Sequence, residues 1–261
     1  MKPRLIDTLI LLVLAAVSLS ACAGLPFTGG FSWKEEVLLH DGRTLIVARW
    51  IIRGPGGRHE IGQPPSITEG GLRFVLPGTG ERVQWKSVLD KDIGFIDLKP
   101  LLLDVISGTA YLVTEPLGCL SYNKWGRPNP PYVIFKYQDQ TWKQIPIQEL
   151  PPQAKAPNLI ISSTDVEIKK LGTRHVTAQM IQKANSEWNQ KQDPIYRTIL
   201  REPTTGGNIG CTVMVRYRGH WIWDKDPIAR KSIDIEIINK NRKNTPDQGK
   251  PDRQAPEKAT P

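Results

Sequence analysis

Four times between residues 35 and 150, two runs of β-type residues flank a tight turn signal, and nothing else in the 261-residue chain constrains the fold as much. EEVLLHDGRTLIVARWII turns at Asp41-Gly42, and LRFVL and ERVQWK flank PGTG. IDLKPLLLDVIS and AYLVT meet at Gly108-Thr109, and YVIFKY and TWKQIPI meet around Asp139. Apolar runs broken by Gly or Asp in this way read as β-hairpins. A two-residue loop at Asp41-Gly42 sets Val37 opposite Ile46 and Leu38 opposite Leu45. Pro100 withholds a ladder N–H, so its strand is an edge, bulged or interrupted. The hairpins start near residues 35, 71, 96 and 132, too unevenly for true repeats. The expected fold is mainly β, with antiparallel hairpins forming a meander, sandwich or propeller-like sheet.

Beyond residue 150 the pattern changes. PPQAKAP, residues 151–157, reads as a Pro-rich linker between a β-rich domain at 33–150 and an α+β C-terminal part at 158–238, packed on the first. NLIISSTDVEI, IYRTIL and CTVMVRY read as strands, and Arg218-Gly219 turns the chain into HWIW. VTAQMIQKANSEWNQKQ is the one clear helix: Met180, Ala184 and Trp188 recur at a spacing of four, Thr177 caps its start and Asp193-Pro194 stops it. Residues 239–261 are basic and almost devoid of apolar side chains, so they read as a disordered tail.

The N-terminus carries an address. Lys2 and Arg4 precede a nearly unbroken apolar run from Leu9 to Val17, followed by Leu19-Ser20-Ala21-Cys22. A basic start, a short apolar core and small residues make a secretory signal. Its last four residues resemble the lipobox of bacterial lipoproteins. The resemblance implies a signal peptide at 1–21, a palmitate-type lipid on Cys22, and a short tether at 22–32. Ala23, where an Asp favours inner-membrane retention, implies the outer membrane, with the protein facing the periplasm. The rest of the chain looks like an uncharacterised proteobacterial outer-membrane lipoprotein. The formal charge is +9, and loss of Lys2, Arg4 and Asp7 leaves +8. Such a surface suits anionic lipid headgroups, lipopolysaccharide phosphates, peptidoglycan carboxylates or another envelope protein. Nucleic acid is a poor partner in that compartment.

With Cys22 taken by lipid, Cys119 and Cys211 remain as an even pair in an oxidising compartment, and a disulfide between them is expected. The alternative is a cell-wall-active thiol enzyme using Cys211. GGNIGC at 206–211 resembles the nucleophile segment of the L,D-transpeptidases, with Ile209 in place of the histidine. A third reading is a glycan- or peptidoglycan-binding module. It uses the stiff loop GCLSYNKWGRPNPPY, where Tyr122, Trp125 and Tyr132 would stack on sugars beside Arg127. His40, His59, His175 and His220 lack metal-ligand spacing and read as surface histidines. No metal or cofactor is expected, and neither GxSxG, HExxH nor a P-loop occurs. The reading reached is a non-enzymatic, lipid-anchored binding or structural module.

Overall fold

The structure, a computed structural model, describes residues 30–54, 65–161, 165–189, 194–204 and 210–244. The signal segment, Cys22, His59 and the last 17 residues lie outside the described residues. The described chain forms two compact units that divide after Cys211.

The first unit is built from two up-and-down antiparallel meanders. One contains β1 (Gly30–Leu38), β2 (Thr44–Arg53), β3 (Ile67–Val75), β4 (Arg82–Asp90) and the short β5 (Phe95–Ile96). The other contains β6 (Leu98–Ile106), β7 (Thr109–Pro116), β8 (Val133–Gln138) and β9 (Thr141–Ile145). Inward residues of both sheets share one core: Val37, Val47, Leu72, Phe74 and Trp85 from the first meet Leu103, Val105 and Leu112 from the second. The expected mainly β, hairpin-built fold is therefore present, in its sandwich form.

The turns explain the registers. At the first hairpin Val37 faces Leu45 and Leu38 faces Thr44, one residue away from the expected pairing. Gly42 takes φ +84° and adds a third residue to the loop, the arrangement of a turn closed by a left-handed residue. The shift gives the hairpin one buried and one open face: Val37, Leu45 and Val47 are buried, while Leu38 and Ile46 are about half exposed. Pro100 behaves as its chemistry demands. β6 is a sheet edge, and its register slips between Pro100 and Leu102.

The second sheet is covered on its outer face too, which corrects the linker assignment. Residues 151–157 are packed, not free: Ala154 is fully buried with Leu150 against Leu102, Tyr111 and Ile134. The Arg201 guanidinium donates to the carbonyls of Leu150, Pro151 and Ala154 at 2.6, 2.8 and 2.8 Å. The boundary between units therefore falls after Cys211, not at these prolines.

NLII is not a strand either. Leu159, Ile160 and Ile161 run as irregular backbone and enter three different apolar clusters in succession. Buried irregular backbone needs partners, and distant side chains supply them. Ile160 N–H donates to Glu35 Oε2 at 3.1 Å, and Arg49 Nη1 donates to Ile160 O at 3.1 Å. Asn185 accepts from Ile161 N–H and donates to Leu159 O.

Helix content exceeds the sequence expectation. α1 (Gly118–Lys124) and α2 (Asp165–Lys170) are short, and a two-residue β10 (His175–Val176) adds to β1 in parallel. α3 (Ala178–Asn189) is the expected helix, with Thr177 Oγ1 accepting from Met180 N–H at 3.3 Å. Among its described side chains, Ile181 and Asn185 are the buried ones. IYRTIL forms a 3-10 turn at Pro194–Tyr196 and coil, not a strand, with Ile195 and Ile199 buried.

The second unit holds the expected hairpin of β11 (Met214–Tyr217) and β12 (His220–Trp223) turning at Arg218-Gly219, then α4 (Pro227–Asn244). Asp226 Oδ1 caps α4, accepting from Ile228 and Ala229 N–H, and Pro227 takes the first helical position. A tail beginning at residue 239 is thus corrected: the helix continues to Asn244.

One contact between β8 and the turn before β4 is open to titration. Tyr137 Oη donates to Glu81 Oε1 at 2.6 Å. That hydrogen bond, then burial, then the carboxylate charge push the phenol up to about 12. A group raised in the folded state contributes stability that is complete below the unfolded pKa of about 10. That contribution is lost as the pH climbs from there toward 12. In an ultraviolet titration, Glu81→Gln should bring the Tyr137 phenolate in at lower pH. An identical curve for both proteins would show that Glu81 does not control it.

Candidate functional site

Cys119 and Cys211 form a disulfide, with Cα atoms 5.3 Å apart. It joins α1 to the last residue of the first unit. A sulfur held in this bond has no thiolate to offer, so the arrangement lacks what a Cys211 nucleophile requires.

The 118–132 segment is not an exposed stacking platform, and that expectation is corrected. Its first half is α1, and Tyr122 and Tyr132 are 1% and 6% exposed. Tyr132 Oη donates toward Ile195 O at 3.0 Å and holds the 195–200 segment. Arg127 lies 4.9 Å over the Tyr122 ring and donates to Cys211 O at 2.9 Å, steadying the backbone at the disulfide. Trp125 packs partly buried and edge-on to Phe135, and its Nε1–H donates to Asp97 Oδ2 at 3.2 Å. Lys124 bridges Asp90 and Asp97 at 2.8 and 2.5 Å. Burial works against its charge, but the hydrogen bonds to both carboxylates outweigh that and hold its pKa above the ordinary value. These side chains hold the fold together.

The site lies elsewhere. A cavity of about 650 Å³ opens between the end of β1, the middle of β6, the 153–158 segment and α3. Its floor is apolar, with Leu39, Leu102 and Ile181. The volume is typical of small-ligand pockets. His40 lines it, and its ring Nδ1 lies 2.8 Å from Asp104 Oδ1. Asp104 is 2% exposed and also accepts from the His40 and Val105 backbone N–H groups. A carboxylate only accepts, so His40 Nδ1 carries the proton in this bond, and neutral imidazole keeps its Nε2 lone pair. Sequence reading took His40 for an ordinary surface residue. Its partner is 64 positions away, and no local pattern joins them.

A second pair stands at the cavity wall. His175 Nε2 lies 2.8 Å from Glu36 Oε1, and Ala178 N–H at the start of α3 donates to Glu36 Oε2. The His175 hydrogen bond is the main reason the Glu36 carboxyl titrates below the ordinary range. Asn158 and Asn185 also line the cavity, but they are committed to the backbone. Asn158 bonds Leu38 O and both polar groups of Leu103, and Asn185 bonds Leu159 O and Ile161 N–H.

Among the described residues no group of three His, Cys, Asp or Glu side chains is placed to hold a metal ion. No helix of those residues is long and apolar enough to cross a membrane. Compared with family models, with curated proteins and with solved structures, the chain matches none.

Proposed function

We propose that this chain is a lipid-anchored protein of the bacterial cell envelope, held by Cys22 in the outer membrane and facing the periplasm. Its folded part is a non-enzymatic binding module. The observation that carries the address is the Cys119–Cys211 disulfide, because such bonds persist in oxidising compartments. It agrees with the lipobox Leu19-Ser20-Ala21-Cys22. The β1–α3 cavity, in place of the 118–132 loop, supports the binding reading. Among the described residues no hydroxyl or thiol is hydrogen-bonded to His40, so the dyad has an oriented acceptor without a nucleophile.

The anchor is tested by feeding cells a clickable fatty-acid analogue. Wild-type protein should take up label, and Cys22→Ser should not, because a hydroxyl is a far weaker acyl acceptor than a thiolate. Equal labelling of the two would remove the anchor.

A further inference from the structure

The fold leaves several polar groups of the cavity unused. Among the described residues, the carboxamides of Gln153, Gln179 and Gln182 make no hydrogen bond to the protein, and Lys155 Nζ has no carboxylate within reach. His40 Nε2 has no partner there either, although its ring is fixed through Nδ1. The remaining charged groups are engaged: Glu36 with His175, Asp104 with His40, and Arg197 with partners of its own. What remains for a ligand is three groups that both donate and accept, one ammonium and one oriented acceptor, above an apolar floor.

That inventory selects a chemistry. An acyl chain would strip water from these groups without replacing it, at a cost of about 1–3 kcal/mol for each. A nucleotide would ask for more cationic charge than Lys155 brings. A hydroxylated, amide-rich chain bearing a carboxylate for Lys155 matches every group left over.

We propose that the cavity binds such a chain, the chemistry of a cell-wall glycopeptide. Lys155 meets the carboxylate, His40 Nε2 accepts from a ligand hydroxyl or amide, and the three glutamines bond its amides. Asp104 is a positioning residue that keeps His40 Nε2 available. The choice of a glycopeptide rests on the envelope reading above; the chemistry of the cavity does not.

The test is calorimetric titration of the purified full chain, disulfide intact. The probes are a soluble N-acetylated disaccharide–tetrapeptide, the disaccharide alone and the tetrapeptide alone. The whole glycopeptide should saturate the protein, and the tetrapeptide should retain more of the affinity than the disaccharide, because it carries the carboxylate. Lys155→Gln and His40→Asn should each weaken binding about tenfold, the loss expected from one good polar contact. His40→Asn is chosen because the Asn amide sits where Nδ1 does and can still donate to Asp104. Its melting temperature should therefore match wild type. Absence of saturable binding by all three probes, or variants that bind like wild type, would overturn the proposal. Such a result with normal lipid labelling would spare the envelope reading. Binding by a chain that takes no lipid would spare the cavity and remove the anchor.

Discussion

Cys119→Ser should lower stability by about 2–5 kcal/mol, and Cys211→Ser should do the same. The bond spans 92 positions, and closing a loop of that length is worth about 4–5 kcal/mol on the chain-entropy model. Between the two cysteines lie β8 and β9, half of the second sheet, the packed 151–161 segment that covers that sheet, and α3, which walls the cavity. With the bond intact this segment stays looped in the unfolded chain, and removing the bond lets the unfolded chain gain that entropy. At roughly 2–4 °C per kcal/mol for a chain of this size, the melting point should fall on the order of 10 °C. The double mutant should fall no further than either single mutant, since one bond is lost in all three. Thermal melts of the four proteins decide it; a single mutant that melts with wild type would mean that the bond does not hold this segment.

The second large effect concerns Glu35 and Arg49. They are 0% and 3% exposed, and Arg49 Nη1 lies 2.8 Å from Glu35 Oε1, which also accepts from Trp33 Nε1–H at 2.7 Å. Arg49→Met leaves a buried carboxylate unpaired and should cost about 3–5 kcal/mol. A buried ion pair can often be replaced by two apolar residues at little cost. Here it cannot, because the same two side chains satisfy the N–H and C=O of Ile160. Glu35→Leu with Arg49→Met should therefore remain destabilised by about 2–6 kcal/mol, from two orphaned backbone groups at about 1–3 kcal/mol each. Urea denaturation of the double mutant measures this. Recovery to wild-type stability would mean that Ile160 finds other partners.

Where alternation and turn chemistry act locally, the fold was legible from the residues. Leu72, Phe74 and Leu76, then Val83 and Trp85, face the core as their spacing says. Pro100 marks an edge and a slip, and Arg218-Gly219 turns the last hairpin. The first register was missed by one because a sequence shows Asp41-Gly42 but not how many residues Gly42 allows into the loop. α1 was missed for want of a signal: Leu117 precedes it and offers no side-chain cap. α4 was missed altogether, although Asp226-Pro227 suits a helix start, because its apolar residues are sparse and its last turns hold the polar residues that were given to the tail.

The site was least legible. Leu159, Ile160 and Ile161 have the composition of a strand, and it is Glu35, Arg49 and Asn185, at distances of 24 to 125 positions, with Leu101 O accepting from Leu159 N–H, that make irregular backbone tolerable there. Likewise Asp104 sits on a strand beside apolar neighbours, with nothing local to show that it faces His40. The aromatic loop drew attention through composition, but its rings are the ones the core consumes.

Mass spectrometry of the protein extracted without reductant from bacterial membranes tests the envelope proposal most directly. The expected spectrum has an N-terminus at Cys22 carrying lipid mass, and one peptide pair linked through Cys119 and Cys211. An unmodified N-terminus, or free thiols at those two positions, would contradict it.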